Sequence, residues 1–493
     1  MTIEQLLSDD SPSLIQEISK LTLQQSQVII QKVDIEKASK LCSLLFQANV
    51  PFAADLFLKY FPQWKKEPPK YSLIDLLNSA CAIKSCREYI KEQGMDFISD
   101  CLNNAECCDI AFLVQAKLVV TEKKKDLNDL LFLLNKFLEM ENDIGAEGLA
   151  FLSSIDDLKP EITNRFDQLS KFKKDSKFGI ASTVLNLVTL PKEFTEEEKK
   201  IVELHKMVDD YQQPETKEQV KIRIQNLIKC NLFSLLNSLL KQSTKFTKLV
   251  IAKTFSMLIS FEEFRGNCLQ SGAATLLQSF SHEIECAHAL ARLCITCNPK
   301  IVLRDNFDGI ISPIILLITK GNNLQKFESL LALTNLLSVA PTEVLTNLYN
   351  RKILSELLSL QFDDNELIQR AATESICNFL RCEQVLEYFL KTPQKLDVMF
   401  ALCSSDSQDT VKAASGSLAI LSSCEPFVEI VRNGLKYVDE MLRSKNDDII
   451  LRVLTCIRNI GSPAKYNDLI APFSEGKFES LYRELKESQN TVN

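Results

Sequence analysis

Apolar and polar positions recur along this chain with the period of an α-helix for most of its length. The clearest case is LQKFESLLALTNLLSV, Leu324 to Val339, where Phe327, Leu330, Leu331, Leu333, Leu337 and Val339 form a broad apolar stripe. Asn335 sits inside that stripe, about two turns after Phe327. Related strings lie on either side, HALARL (His288 to Leu293) and SICNFL (Ser375 to Leu380). Arg292, Asn335 and Asn378 take the equivalent place, each 43 residues from the next. A recurrence of roughly 40 to 47 residues in helical sequence is the period of armadillo or HEAT repeats. The pattern therefore predicts an all-α, armadillo/HEAT-like, right-handed superhelical solenoid. One polar residue per repeat on successive inner helices predicts a ladder for an extended chain. Asparagine suits it because the side chain both donates and accepts. A hydrogen bond that ties adjacent helices is the other role open to Asn335 and Asn378.

Residues 1–190 read as an N-terminal and central armadillo-like domain, with helices clearest at Leu14–Leu23, Ile35–Phe46, Leu73–Tyr89 and Leu127–Met140. The three prolines of FPQWKKEPPKYS, Phe61 to Ser72, are expected to break the helical run. LNDLLFLLNKFLEM (Leu127 to Met140) is apolar nearly all round, which predicts a core helix. EGLAFLSSIDDLKPEI (Glu147 to Ile162) and FGIASTVLNLVTL (Phe178 to Leu190) are the next strong helices. Residues 191–219 alternate in charge with few core positions and read as a neck or linker, with Thr195 and Glu198 spaced as a capping box. A solvated surface helix fits that composition equally. Residues 220–493 form the C-terminal repeat block. In it Ala413 of VKAASGSLAIL falls 42 residues after Ala371, and Asn459 lies near the end of ILRVLTCIRNIG. The small residues Ala371, Ala372, Ala413, Ala414 and Gly416 predict close helix approach. The polar stretch Ala471 to Asn493 is expected to close the stack.

Composition narrows the function without naming a chemistry. Twelve glycines and one tryptophan beside 28 phenylalanines favour stacked helices over a turn-rich β architecture. A formal charge of −8 argues against a nucleic-acid binder. The 16 cysteines are scattered without zinc spacing, so free thiols in a reducing, cytoplasmic setting are expected, with no metal site. The N-terminal stretch is acidic and amphipathic, unlike a secretory leader. The most apolar run, Ile310 to Ile318, is short and carries Pro313, so no membrane insertion is expected. Only His205, His282 and His288 occur, and the last two are six apart, which does not share a helical face as i,i+4 would. His288, in an alanine-rich helix, reads as a satisfied interior histidine. No nucleophile elbow, zinc-protease, phosphate-loop or dinucleotide motif is present, so no catalytic residue and no cofactor are assigned, and the chain is read as a non-enzyme.

Several strings stand in order along the second half of the chain: Glu263-Phe264-Arg265-Gly266, Ala287 to Leu293 followed by Asn298-Pro299, and Phe327 to Leu336. Arg370 to Glu374 with Asn378, and Ala413-Ala414-Ser415-Gly416, complete the series. Together they resemble the UCS-domain family of myosin chaperones. Upstream, Glu147 to Leu152 and Phe178 to Leu187 resemble strings of the domain preceding UCS. The resemblance runs from Ala146 to about Gly461, and residues 1–140 match only loosely. No TPR pattern is present, as in the fungal branch. The family's proline–glycine loop is replaced by Leu303 to Phe307, and a usual arginine is Ser312.

That resemblance implies a co-chaperone that binds the myosin motor domain and supports its folding, stability and actomyosin assembly. The client groove would comprise Arg292, Phe327, Asn335, Arg370, Glu374 and Asn378, with Arg304, Asp305, Asn306 and Phe307 as a neighbouring loop. ATP hydrolysis would belong to a partner chaperone or to myosin. Hsp90- or Hsp70-class partners reached without a TPR contact, and self-association through the N-terminal domain, are compatible with it. The competing reading is a generic armadillo scaffold for another client, for which a basic peptide would need exposed acids such as Glu328, Glu374 and Asp409.

Overall fold

A computed structural model describes residues 13–122, 125–191, 215–303, 306–428 and 446–461, together with positions 430 and 441. Among these residues every regular element is helical and no strand occurs. The fold is an armadillo/HEAT-like helical solenoid. It divides into two units, residues 1–257 and 258–493.

In each unit one row of helices runs through successive repeats. The first unit's row is α1 (Ile35–Gln47), α2 (Tyr71–Ala80), α3 (Cys108–Val120), α4 (Asp143–Leu152), α5 (Lys177–Val188) and α6 (Lys217–Lys229), each packed on the next. The second unit's row is α7 (Ile284–Thr296), α8 (Asn323–Val339), α9 (Glu366–Phe379), α10 (Gln408–Ser422) and α11 (Asp447–Gly461). The helices Ala273–Ser279, Asp308–Lys320, Ile353–Leu360 and Leu396–Leu402 cover α7, α8, α9 and α10 in turn. A row helix is thus sandwiched between its two neighbours and its cover, which explains why its sequence is apolar over so wide an arc. In α8, Leu330, Ala332, Leu333, Leu336 and Leu337 are buried while Leu331 is only half-buried. Its start is fixed by a capping box in which Asn322 and Gln325 satisfy each other's backbone N–H groups.

Close approach is bought with small residues. A Cβ on Gly179 of α5 would stand 2.6 Å from the backbone of Ala146 in α4. One on Gly148 would enter the Phe137 ring at 2.5 Å, and one on Gly416 of α10 would meet Arg452 at 3.1 Å and Cys377 Sγ at 3.3 Å.

Several helix expectations are corrected. Leu14–Leu23 is interrupted between Ile18 and Leu23, Leu73–Tyr89 between Ala80 and Lys84, and Glu147–Ile162 after Leu152. The Leu127–Met140 helix is one-sided: Leu130, Leu133, Leu134, Phe137 and Leu138 are buried, but Leu127 and Phe132 are half exposed. Phe132 instead lies edge-on to Phe112, 6.0 Å between centroids. Pro62 does not break its helix, which runs from Ala53 to Trp64, because only one hydrogen bond near its end is lost. The break falls after Trp64.

Most of the 191–219 neck, including Thr195 and Glu198, lies outside the described residues, as do His205 and Ala471 to Asn493. The division into units does not follow that composition change. Helix α6 packs on α5 in the first unit, burying Val220, Ile224 and Leu227.

Candidate binding face of the second unit

The last four carbonyls of a helix lack N–H partners within it, and a proline four residues on removes one more donor. Three row helices end this way. Ile295 of α7 is followed four residues later by Pro299, Leu337 of α8 by Pro341, and Leu187 of α5 by Pro191. In each case a side chain from the next helical layer supplies the missing donor. Asn335 Nδ2 donates to Cys294 O at 3.1 Å and to Ile295 O at 3.0 Å. Arg381 donates to Leu337 O at 2.8 Å and Ser338 O at 2.6 Å. Arg223 donates to Leu187 O at 3.0 Å. Burial pushes the Arg223 guanidinium below its usual range, and Glu215 pairs with it.

The asparagines form the same kind of tie in series. Asn378 Nδ2 donates to Thr334 O at 3.0 Å, Asn459 to Ser422 Oγ at 3.0 Å, and Asn186 in the first unit to Ala150 O at 2.9 Å. Both amides of the expected ladder, Asn335 and Asn378, therefore bond adjacent helices, the second of the two roles open to them. Asn186 and Asn459 were not among the expected groove residues. Their signal is an asparagine followed by an apolar residue near a helix end, in VLNL and IRNI as in LTNL and ICNF.

Charged groups also bridge helices of the same row. Arg292 of α7 reaches Ser260 Oγ at 2.9 Å and Glu328 of α8 at 2.7 Å, and His288 also bonds Glu328. Burial alone would raise the Glu328 carboxyl, but the hydrogen bonds and charges of His288 and Arg292 outweigh it and hold it below the usual range. Arg370 of α9 joins Glu374 at 3.0 Å and Asp409 of α10 at 2.6 Å. Lys412 of α10 pairs with Asp448 of α11, whose carboxyl that bond also lowers.

The structure thus gathers Arg292, Asn335, Arg370, Glu374 and Asn378 along α7, α8 and α9, all of them half-buried, with Phe327 half-buried on the same row. Of the neighbouring loop, Arg304 and Asp305 lie outside the described residues. Asn306 is exposed and donates to Gln278 at 3.3 Å, whereas Phe307 is buried. The acids that a basic-peptide scaffold would need, Glu328, Glu374 and Asp409, each already hold an internal cation.

Among the described residues no cluster of three or more histidine, cysteine or carboxylate side chains is placed to hold a metal ion. All 16 cysteines are free thiols, and burial pushes those of Cys42, Cys268 and Cys403 up to about 12. No helix among the described residues is long and apolar enough to cross a membrane.

No family model matches this sequence. Individual proteins do. The chain is 26% identical over 342 residues to the protein unc-45 homolog B of Danio rerio, a match covering 64% of this chain and 36% of that protein. It is 26% identical over 469 residues to Ring assembly protein 3 of Schizosaccharomyces pombe, covering 87% of this chain and 61% of that protein. Among solved structures, UNC-45 from Drosophila melanogaster superposes with a TM-score of 0.75 at 18% identity, over 99% of this chain and 70% of that one. The myosin chaperone UNC-45 from C. elegans, in complex with an Hsp90 peptide, superposes with a TM-score of 0.73 at 18% identity, over 98% of this chain and 58% of that one. The chain spans about a third of the length of the vertebrate relatives.

Proposed function

We propose that this chain, a homologue of the UNC-45 and Ring assembly proteins and so of the UCS family, is a myosin-directed co-chaperone that holds the myosin motor domain on the α7–α9 face. The observation that carries the reading is the 469-residue match to Ring assembly protein 3, which runs through both units, together with the structural likeness to the myosin chaperone UNC-45 from C. elegans. The exposed parts of Arg292, Phe327, Arg370 and Glu374 supply side-chain contacts. The asparagine carbonyls, left over once their N–H groups are bound to neighbouring helices, accept from a client backbone. The protein acts by binding and not by chemistry, and any nucleotide turnover belongs to partners. An Hsp90- or Hsp70-class chaperone would be engaged elsewhere than on this face.

The test is retention of a partly unfolded myosin motor domain on the immobilised full chain, challenged with a panel of lysine- and arginine-rich peptides. The proposal expects the motor domain to be retained and the peptides to leave it in place. Displacement by the basic peptides at comparable concentration would favour the generic scaffold.

A further inference from the structure

The two strings of the first unit that resemble known ones, EGLAFL and FGIASTVLNL, converge on one cavity that the myosin reading does not use. It has a volume of about 540 Å³ and lies between α4 and α5, lined by Asp143, Glu147, Phe151, Asp175, Phe178 and Asn186 among others. Clefts of this size, with apolar walls and a few polar groups, are typical of ligand sites. Gly179 lets the two helices close beneath it, since its missing Cβ would strike Ala146. Phe151 is 36% exposed and Phe178 53%, an unusual cost for two phenyl rings at one place.

We propose that this cavity takes a basic side chain, an arginine, from an extended partner polypeptide. Charge selects the occupant: Glu147 is already paired with Lys117, but the lining also holds Asp143 and Asp175 and, among the described residues, no lysine or arginine. The rings favour a cation that can also stack, which a planar guanidinium does better than an ammonium. The chain shows the same recognition internally. Lys117 Nζ stands 5.0 Å from the centroid of the Phe151 ring and 2.7 Å from Glu147. Asp143 accepts from Ser176 Oγ at 3.0 Å, which fixes one carboxylate on the rim, while Asp175 is exposed.

The partner is a polypeptide because the cavity has a neighbour. A second cavity of about 550 Å³ shares the Phe151 wall and continues over Asn78 and Thr121 towards Asn49. Packed helices lie about 8–10 Å apart, and a chain in the polyproline II conformation advances about 3.1 Å per residue with about three residues per turn, so one step along the row matches about three residues. In that conformation an arginine in the first cavity places the side chain three residues away on the same side, over the second.

The experiment uses the full chain and three probes: N-acetyl-arginine amide, its neutral isostere N-acetyl-citrulline amide, and an acetylated heptapeptide with one central arginine among alanines and leucines. Binding is read by titration calorimetry at low salt, with the melting temperature of each variant checked. The proposal expects the arginine amide to bind and the citrulline amide not to. Phe178→Ala and Asp175→Asn, both exposed positions, should each weaken the arginine probe about three- to fivefold with unchanged melting. The heptapeptide should bind at least about tenfold more tightly than the amide, through the adjoining cavity. Equal binding of arginine and citrulline amides, or unchanged affinity in both folded variants, overturns the pocket. A heptapeptide no better than the amide overturns the polypeptide assignment. No motor domain enters the assay, so its outcome is independent of the myosin reading.

Discussion

Asn335→Ala tests whether the polar ladder holds the repeats together. The native side chain gives two N–H bonds, at 3.1 and 3.0 Å, to the terminal carbonyls of α7. One of these carbonyls, Ile295 O, has no helical donor because Pro299 stands four residues on. Alanine leaves both carbonyls at a half-buried helix junction, and stranding such groups costs about 1–3 kcal/mol. For a unit of this size each kcal/mol moves the melting temperature by about 2–4 °C, so a fall of about 2–12 °C is expected. The assay is thermal unfolding by circular dichroism, paired with motor-domain affinity at 20 °C or below, where the variant remains folded. Affinity should change less than tenfold, since only the side-chain acceptor Oδ1 is lost from the face. A variant that melts like the wild type yet loses the motor domain would refute the reasoning, because the amide would then serve the client and not α7.

Other perturbations follow from the same contacts. Arg381→Ala removes two charged bonds to the end of α8 and should destabilise the second unit by about 1.5–3 kcal/mol, read as a shift in the urea midpoint. Gly179→Ala forces a methyl group into Ala146 and should cost about 1–3 kcal/mol or more; a wild-type denaturation midpoint would contradict the close α4–α5 approach. The Glu328 carboxyl is lowered in the folded state, so its contribution is full above the unfolded carboxyl value of about 4.3 and is lost as pH falls through the folded value. Glu328→Gln should therefore lower stability at neutral pH and flatten its decline below about pH 4.3 in a melting series. Cys230 is the one cysteine that is exposed and not buried or half-buried, and burial holds thiols such as Cys42 and Cys268 protonated, so a disulfide reagent should show one fast thiol that Cys230→Ser abolishes.

The repeat architecture was legible because its cause is written locally. Helical apolar period, the 43-residue recurrence and the alanine-rich row helices each state a packing requirement that neighbouring repeats must meet. The asparagines were legible as special, but not in their role. Whether Asn335 faces a client or α7 depends on Pro299 leaving a carbonyl without a donor 40 residues earlier in the chain, a relation that no single helix displays. The Leu127–Met140 helix misled because leucines on its open face look like core, and only the partner Phe112 shows what shelters Phe132. The Arg292–Glu328 and Arg370–Asp409 pairs were hidden for a similar reason. Each joins residues 36 or 39 apart, and the sequence offers many exposed acids at such distances.

If this chain protects a myosin motor domain by binding alone, the direct measurement is light scattering of a purified motor domain heated with an equimolar amount of the full chain, in buffer without nucleotide. The account predicts that scattering is suppressed, that the motor domain stays in solution as a complex, and that adding ATP is not required. Scattering indistinguishable from that with an unrelated helical-repeat protein, or suppression that appears only with nucleotide, would contradict it.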